Sequence, residues 1–358
     1  MYKSELKEVE SPVYSGNLPL ASIIITSYNY EKLLPRAIDS ALQQTYPKKE
    51  IIVVDDGSTD NSRQIITSYG NQIIPVFKKN EGRVSATNAG FFASHGEIIF
   101  FLDADDIFFP HKVGTMVNYF LQVMPLTPEA LIFHCMEMCT DDANSPSHSI
   151  PRSLRTIDGK KKNSLFAKLS DPEIAYQYVQ KWGFLPFRAS PTSGLLLTRL
   201  LAGKIFPLPG KKAASQDACI VYASTIVGTV YGTSQVLGSY FIHEKNLSMS
   251  QSYSDNKIQH YQIVDNFLND ILAKMNKKRV ISFYESRLAR PHYQHIGSTK
   301  GLLRLSWKIP ARYFCWETIW FSIKTLWLCL KVVLGFKKKR RLANKTKLFA
   351  KAKETQRK

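Results

Sequence analysis

Cysteine is scarce in this sequence. Five cysteines among 358 residues, an odd number at wide spacing, exclude a disulfide framework and fit a reducing compartment. Cys135 and Cys139 form a C-x3-C pair with no second pair at metal-site spacing, so ordinary packing is expected of them. The opening stretch MYKSELKEVESPVYSG alternates acids with bases and lacks the apolar core of a secretory signal, which places the folded body in the cytosol. Acids are also missing from one region. Residues 277–358 hold 22 Lys and Arg against 3 Asp and Glu, whereas residues 1–276 hold 26 against 26, so the whole net charge of +19 belongs to the last 82 residues. Such an excess suggests a nucleic-acid binder, but no recognition motif accompanies it and nucleic acid is not an expected partner.

Hydrophobic residues at 44% and charged residues at 22% match soluble globular usage, which excludes collagen, wholesale disorder and a polytopic membrane protein. The length allows two or three domains. The first 130 residues alternate strands with helices. ASIIIT at Ala21–Thr26, EIIVVD at Glu50–Asp55 and IIFFL at Ile98–Leu102 are continuous apolar runs of the kind a doubly covered parallel strand needs, and Ile73–Phe77 is a further strand. Between them, Leu33, Leu34, Ala37, Ile38, Ala41 and Leu42 recur at helical spacing, Ile65–Tyr69 ends a short helix, and Val84–Ser94 reads as a helix closed by Gly96. This order predicts right-handed crossovers and a mainly parallel, Rossmann-like sheet with helices on both faces. Ligands of open sheets bind beyond the carboxyl ends of the strands.

Polar residues collect at those ends. Strand one runs into Thr26-Ser27-Tyr28-Asn29, strand two into Asp55-Asp56-Gly57-Ser58, and strand four into Asp103-Ala104-Asp105-Asp106. A purely structural Asp55 or Asp56 would cap the helix that begins near Asp60. In Asp103-Ala104-Asp105 the alternate carboxylates point to one side, where two hard oxygen donors can hold a divalent cation together with phosphate oxygens.

The stretch from Ala21 to Pro110 resembles the nucleotide-sugar-binding half of the GT-A fold glycosyltransferases, specifically glycosyltransferase family 2. SIIITSYNY at 22–30, a Ser40…Gln44-Thr45-Tyr46-Pro47 helix end, EIIVVDDGSTDNS at 50–62, NEGRVSATNAG at 80–90 and GEIIFFLDADD at 96–106 carry the likeness in the right order. The resemblance implies that Thr26, Tyr28 and Asp56 grip the nucleobase and ribose, with Asp56 accepting from a uracil N–H and so favouring a uridine donor. It implies that Asn80 and Gly82 approach the donor, that Asp103 serves ribose and metal, and that Asp105 ligates Mn²⁺ or Mg²⁺ directly. Position 87 departs from the family: a basic residue there usually precedes the asparagine, and here it is Thr87, with Arg83 a substitute cation. Further along, Pro191-Thr192-Ser193-Gly194 before LLLT resembles the acceptor-side glycine turn, which makes Gly194 a substrate-binding residue. Ala214-Ser215-Gln216-Asp217 before a helix at Ala218–Thr225 resembles the x-E-D motif, with Gln216 in place of glutamate. Asp217 keeps the family's catalytic base, and N-cap of that helix is its alternative or additional role. YFIHEKNLSMS at 240–250 resembles the segment that gives the metal a histidine, here His243.

The implied activity is an inverting, metal-dependent hexosyl transfer from a nucleotide-diphospho-sugar to a glycan or lipid-linked hydroxyl. The Q-x-x-R-W signature and multiple spans of processive synthases are both missing, which favours one sugar per encounter. Nucleotidyl transfer is the rival enzyme class, although TSYNY lacks a glycine-rich, lysine-bearing phosphate loop. A degenerate carbohydrate-binding or scaffold protein is the non-enzymatic rival, prompted by Thr87 and Gln216.

The expected domains are an extension at 1–19, a GT-A domain at 20–250 (donor half 20–125, acceptor half 126–250), a helical extension at 251–310, an amphipathic membrane helix at 311–336 and a basic tail at 337–358. As a spanning helix, 311–336 comes out near zero: eleven Leu, Ile, Phe and Val at roughly −0.5 kcal/mol each are offset by Lys324 at about +3, with Glu317 and Lys331 adding cost. Glu317, Lys324 and Lys331 share one helical stripe opposite Ile319, Ile323, Leu326, Leu330, Val333 and Leu334, which suits a helix lying in the membrane plane. A crossing would export the tail against the positive-inside tendency. The expected location is therefore cytoplasmic, peripheral on an anionic inner membrane face, with a helix completing the core and a solvated tail as the alternative.

Overall fold

The computed structural model describes residues 18–140, 149–150, 154–157, 159–182, 190–210, 216–243 and 256–278. Its strands are β1 (Ala21–Ser27), β2 (Lys49–Asp55), β3 (Ile74–Phe77), β4 (Ile98–Asp103), β5 (Ile107–Phe108), β6 (Ala130–Thr140), β7 (Ser149–Ile150), β8 (Phe166–Ser170), β9 (Leu195–Thr198) and β10 (Thr229–Ile242). The helices are α1 (Leu34–Leu42), α2 (Ser62–Ser68), α3 (Arg83–Ala93), α4 (Lys112–Val123), α5 (Pro172–Trp182), α6 (Arg199–Ile205), α7 (Gln216–Val227) and α8 (Asn256–Lys274).

The strands form one sheet in the order β3-β2-β1-β4-β9-β6-β10-β5, with β7 on β6 and β8 on β10. β3, β2, β1 and β4 are parallel neighbours, and β6 and β10 form a second parallel pair. The short β9 runs antiparallel to both β4 and β6 and joins the two parallel groups. Two antiparallel steps restore direction, so β1, β2, β4, β6 and β10 all end at one edge of the sheet.

The apolar runs become buried strands because both faces are covered. Successive side chains of a strand point to opposite faces, and here the alternation feeds two cores. Ile23 and Ile25 of β1, Ile51 and Val53 of β2, and Ile98, Phe100 and Leu102 of β4 enter one cluster with α1 and α4. Ile24, Ile52, Val54, Ile99 and Phe101 enter the other with α3 and α7. A strand with one wet face would have interrupted these runs with polar residues.

The expected elements of the first 130 residues are all present, with ends shifted by a residue or a few. Two capping expectations differ. The N-terminus of α2 is held by Asp60, whose Oδ1 accepts from Ser62 N at 3.0 Å, so neither Asp55 nor Asp56 caps it. Helix α7 begins at Gln216, which places Asp217 inside the first turn rather than at the cap. The buried Gln216 starts that helix two positions earlier than the expected Ala218. Neither Cys135 nor Cys139 is in a disulfide; the first is buried and the second half-buried. The helical extension expected at 251–310 contains α8; the segments expected at 311–336 and 337–358 lie outside the described residues. No helix among the described residues is long and apolar enough to cross a membrane.

Candidate active site

Three acids stand at the carboxyl end of β4. Asp103, Asp105 and Asp106 each offer a carboxylate oxygen, and these oxygens lie within 4.8 Å of one another. A fully apolar strand delivers them, so all three are buried. Asp105 Oδ2 lies 2.9 Å from His243 Nε2, just beyond β10, and accepts from the Tyr30 hydroxyl at 3.3 Å. Asp106 faces inward: its Oδ1 accepts from Phe241 N at 3.1 Å, while its Oδ2 is buried with no hydrogen-bond partner. The Asp103 backbone N–H donates to Ser193 Oγ at 3.0 Å.

Arg83, the first residue of α3, supplies the opposing charge. One guanidinium nitrogen lies 3.5 Å from Asp103 Oδ2. The same cation is held in its charged form by Asp103 above all, with Asp217 and Asp105 contributing. Thr87, one turn later, is buried, and its hydroxyl donates to the Arg83 carbonyl at 2.9 Å. Position 87 therefore faces the interior of the helix packing, where a cation would be stranded, and the cation of this helix start sits at 83.

The electrostatics follow from burying like charges together. Burial pushes the Asp103 carboxyl up to about 6, with Arg83 pulling it down and Asp105 and Asp217 pushing it further up. Burial likewise raises Asp106 well above the ordinary carboxylate range. The Tyr30 hydroxyl is raised by burial and by the neighbouring Asp105.

The remaining sequence-predicted residues fall on the same sheet edge. Thr26 is half-buried at the end of β1 and is the register partner of Asp103 on β4. Tyr28 follows it and is 44% exposed. Asp56 is nearly shut off, because its carboxylate fastens the loop before α3: Oδ1 accepts from Lys78 Nζ at 2.7 Å and from Glu81 N at 3.1 Å, and Oδ2 accepts from Gly82 N at 2.7 Å. Gly82 is the cap of α3 with φ of +96°, a conformation closed to most side chains, and Asn80 is half-buried in the same loop.

Asp217 comes from the other half of the chain. Its carboxyl is raised by burial and lowered by Arg83 and by a hydrogen bond from the Thr192 backbone N–H. Its Oδ1 is buried with no hydrogen-bond partner. Thr192 belongs to a short 3-10 turn, Thr192–Gly194, that leads into β9. Gly194 is required there by space: a Cβ would meet Ser190 Oγ at 2.0 Å. Tyr30, Arg83, Asp103, Asp105, Asp217 and His243 are thus linked by contact or by direct electrostatic influence. For Thr26, Tyr28 and Asn80 the common feature is the sheet edge alone.

Residues that the motif reading passed over are Tyr30, Asp106 and Ser193. Tyr30 ends the TSYNY segment and had a signal in its position; Ser193 and Asp106 are legible only once β9 is placed beside β4. The carboxylates are hard oxygen donors of the kind divalent Mg²⁺ or Mn²⁺ takes, and Asp105 with His243 at its side fits such an ion.

A mainly parallel sheet with acids massed at its carboxyl edge is the architecture of the GT-A glycosyltransferases. Residues 22–126 match the family model described as glycosyl transferase family 2. An uncharacterised glycosyltransferase of Nostoc sp. is 34% identical over 271 residues, covering 71% of this chain and 76% of that one. An uncharacterised glycosyltransferase of Rickettsia prowazekii is 28% identical over 298 residues, covering 78% and 87%. Among solved structures, S. aureus TarS residues 1–349 in complex with UDP-GlcNAc aligns with a TM-score of 0.50 at 17% identity, covering 82% of each chain. The chain belongs to glycosyltransferase family 2 and is a glycosyltransferase. The nucleotidyltransferase and non-enzymatic readings give way to that membership.

Proposed function

We propose that this glycosyltransferase moves a sugar from a uridine diphosphate donor to a hydroxyl of a glycan or lipid-linked acceptor by a single displacement with inversion. The observation that carries the reading is the convergence of Asp103 at the end of β4 and Asp105 just beyond it with Asp217 from α7 around the Arg83 guanidinium. Binding of UDP-GlcNAc by the fold-related TarS fragment supports a uridine donor.

In this reading Thr26, Tyr28 and Asp56 form the nucleoside end of the site. Tyr28 offers an exposed ring for stacking on the base, and Asp56 retains a lone pair on Oδ2 for a uracil N–H. Asn80 and Gly82 bring backbone close to the diphosphate, at the positive end of α3. Asp105, Asp103 and His243 would hold Mn²⁺ or Mg²⁺, which supplies positive charge against the anion that builds on the departing nucleoside diphosphate. Arg83 adds a second cation on the same side and orients the phosphates by hydrogen bonds.

Asp217 is the base. An alcohol is a poor nucleophile at neutral pH, and a carboxylate within hydrogen-bond reach takes its proton as the new bond forms. The unpartnered Oδ1 has a lone pair for that proton, and a raised pKa makes the carboxylate a stronger base. One base opposite the leaving group gives inversion. Gly194 lets the turn beside Asp217 approach the acceptor closely.

The domain reading assigns catalysis to residues 20–250, with 1–19 and 251–310 as extensions. Residues 311–336 lie on an anionic membrane and the basic tail at 337–358 adds electrostatic attraction, worth about 1 kcal/mol per base near the surface. This location on the inner face of the cell membrane suits a lipid-linked acceptor. The test of the donor is release of UDP from a panel of UDP-sugars with Mn²⁺ present and with EDTA. Release from one sugar with Mn²⁺ alone is expected, and equal release in EDTA would remove the metal from the account.

A further inference from the structure

One buried cation plays no part in that scheme. Lys112 is the first residue of α4 and is 0% exposed. Its Nζ donates to the Ser193 carbonyl oxygen and sits 3.1 Å from the centre of the Phe108 ring and 5.8 Å from that of Phe100. The titratable groups facing it are Asp106 and His134. Burying an ammonium in a largely aromatic cage is costly, and an apolar side chain of the same length would fill the space more cheaply. Burial accordingly drives the Lys112 ammonium well below its ordinary range. Something other than packing accounts for a lysine here.

What Lys112 grips is the turn between the two halves of the site. Contacts radiate from two consecutive residues of that turn, and Ser193 is also hydrogen-bonded to the Asp106 carboxyl and to His134. The Ser193 carbonyl accepts from Lys112; Ser193 Oγ accepts from the Asp103 backbone N–H at 3.0 Å; and the Thr192 N–H donates to the Asp217 carboxylate. The turn has no slack, since Gly194 already abuts Ser190 and the His134 carbonyl.

We propose that Lys112 is a positioning residue that pins the Thr192–Gly194 turn and thereby holds the Asp217 carboxylate in register with the donor-binding Asp103. The proposal rests on the reading of Asp217 as the base. Lys112 touches neither substrate nor metal; it acts through Ser193 and Thr192. A base displaced by about 1 Å costs on the order of 10²-fold in rate, whereas donor binding, set mainly by β1, β2 and β4, changes little.

Lys112→Met tests this in the full-length protein. The variant keeps side-chain length and removes the donor. We expect kcat for sugar transfer to fall about 10- to 100-fold per UDP-binding site, with donor KM and UDP–Mn²⁺ affinity within about twofold of wild type. The acid limb of the kcat profile should move to higher pH, because Asp217 loses the Thr192 N–H that lowers its pKa. A wild-type kcat overturns the proposal, and so does a parallel loss of UDP binding and kcat, which marks a merely structural role. If K112M does not fold, Thr192→Pro decides on the same criteria: it deletes the N–H at the first position of the turn, behind a Pro191 already extended at φ −51°, ψ 163°. Asp217→Asn separates the two readings: turnover retained there sinks the base itself, whereas a dead D217N beside a fully active K112M sinks only the positioning role.

Discussion

Replacing Asp103 by asparagine should stabilise the metal-free protein while destroying its activity. The Asp103 carboxyl, ordinarily near 3.8, is raised to about 6 by burial beside Asp105 and Asp217, with Arg83 compensating only in part. A carboxyl raised in the folded state stabilises that state while protonated, and the contribution is lost as pH climbs from the unfolded value through the folded one. At pH 8 the ionised group therefore costs the fold about 3 kcal/mol, from roughly two pKa shifts of 1.36 kcal/mol each. Asparagine mimics the protonated form in shape and neutrality. D103N should be more stable than wild type by about 3 kcal/mol at pH 8 in EDTA, about half that at pH 5 and almost nothing near pH 4. In melting temperature this is on the order of 6–12 °C for a domain of this size. Thermal melts of both proteins across that range, with and without Mn²⁺, provide the assay. Wild type should recover stability on adding Mn²⁺ and D103N should not. A D103N no more stable than wild type at pH 8, or a gap that does not close towards pH 4, would refute the electrostatic argument.

Asp217→Asn should lower sugar transfer by about 10² to 10⁴ with UDP affinity nearly intact, read by steady-state kinetics beside calorimetry. His243→Ala, which removes the nitrogen 2.9 Å from Asp105 Oδ2, should weaken Mn²⁺ binding more than tenfold in titrations with UDP present, and an unchanged affinity would take His243 out of the metal site. The full-length protein should sediment with vesicles containing anionic lipid, lose that binding as salt rises through 0.5 M, and lose it at low salt when residues 311–358 are deleted; equal binding to neutral vesicles would contradict the electrostatic half of the reading.

The donor-side strands could be located from sequence because their burial on both faces leaves continuous runs such as SIIIT and IIFFL, and the acids that end those runs stand out by contrast. Helix α3 was legible as the segment Val84–Ser94 closed by Gly96, and its Arg83 could be matched to the missing cation at position 87. The second half resisted. β9 lies between β4 and β6, and its pairing with β4 spans about a hundred residues of chain, which no local period encodes. Ser193 gains its meaning from that placement. Lys112 follows Pro110-His111 at a helix start where an exposed lysine is the ordinary expectation, and only the fold turns it inward. Asp217 was recognisable as an acid before an apolar helix, but the hydrogen bond that orients it comes from a turn whose position depends on β9.

The most direct test is a crystal structure of the protein with Mn²⁺ and UDP. The account predicts the ion bound by Asp105, with Asp103 and His243 beside it and the uracil ring near Tyr28. Nucleotide bound elsewhere, or an ion that leaves Asp105 untouched, would contradict it.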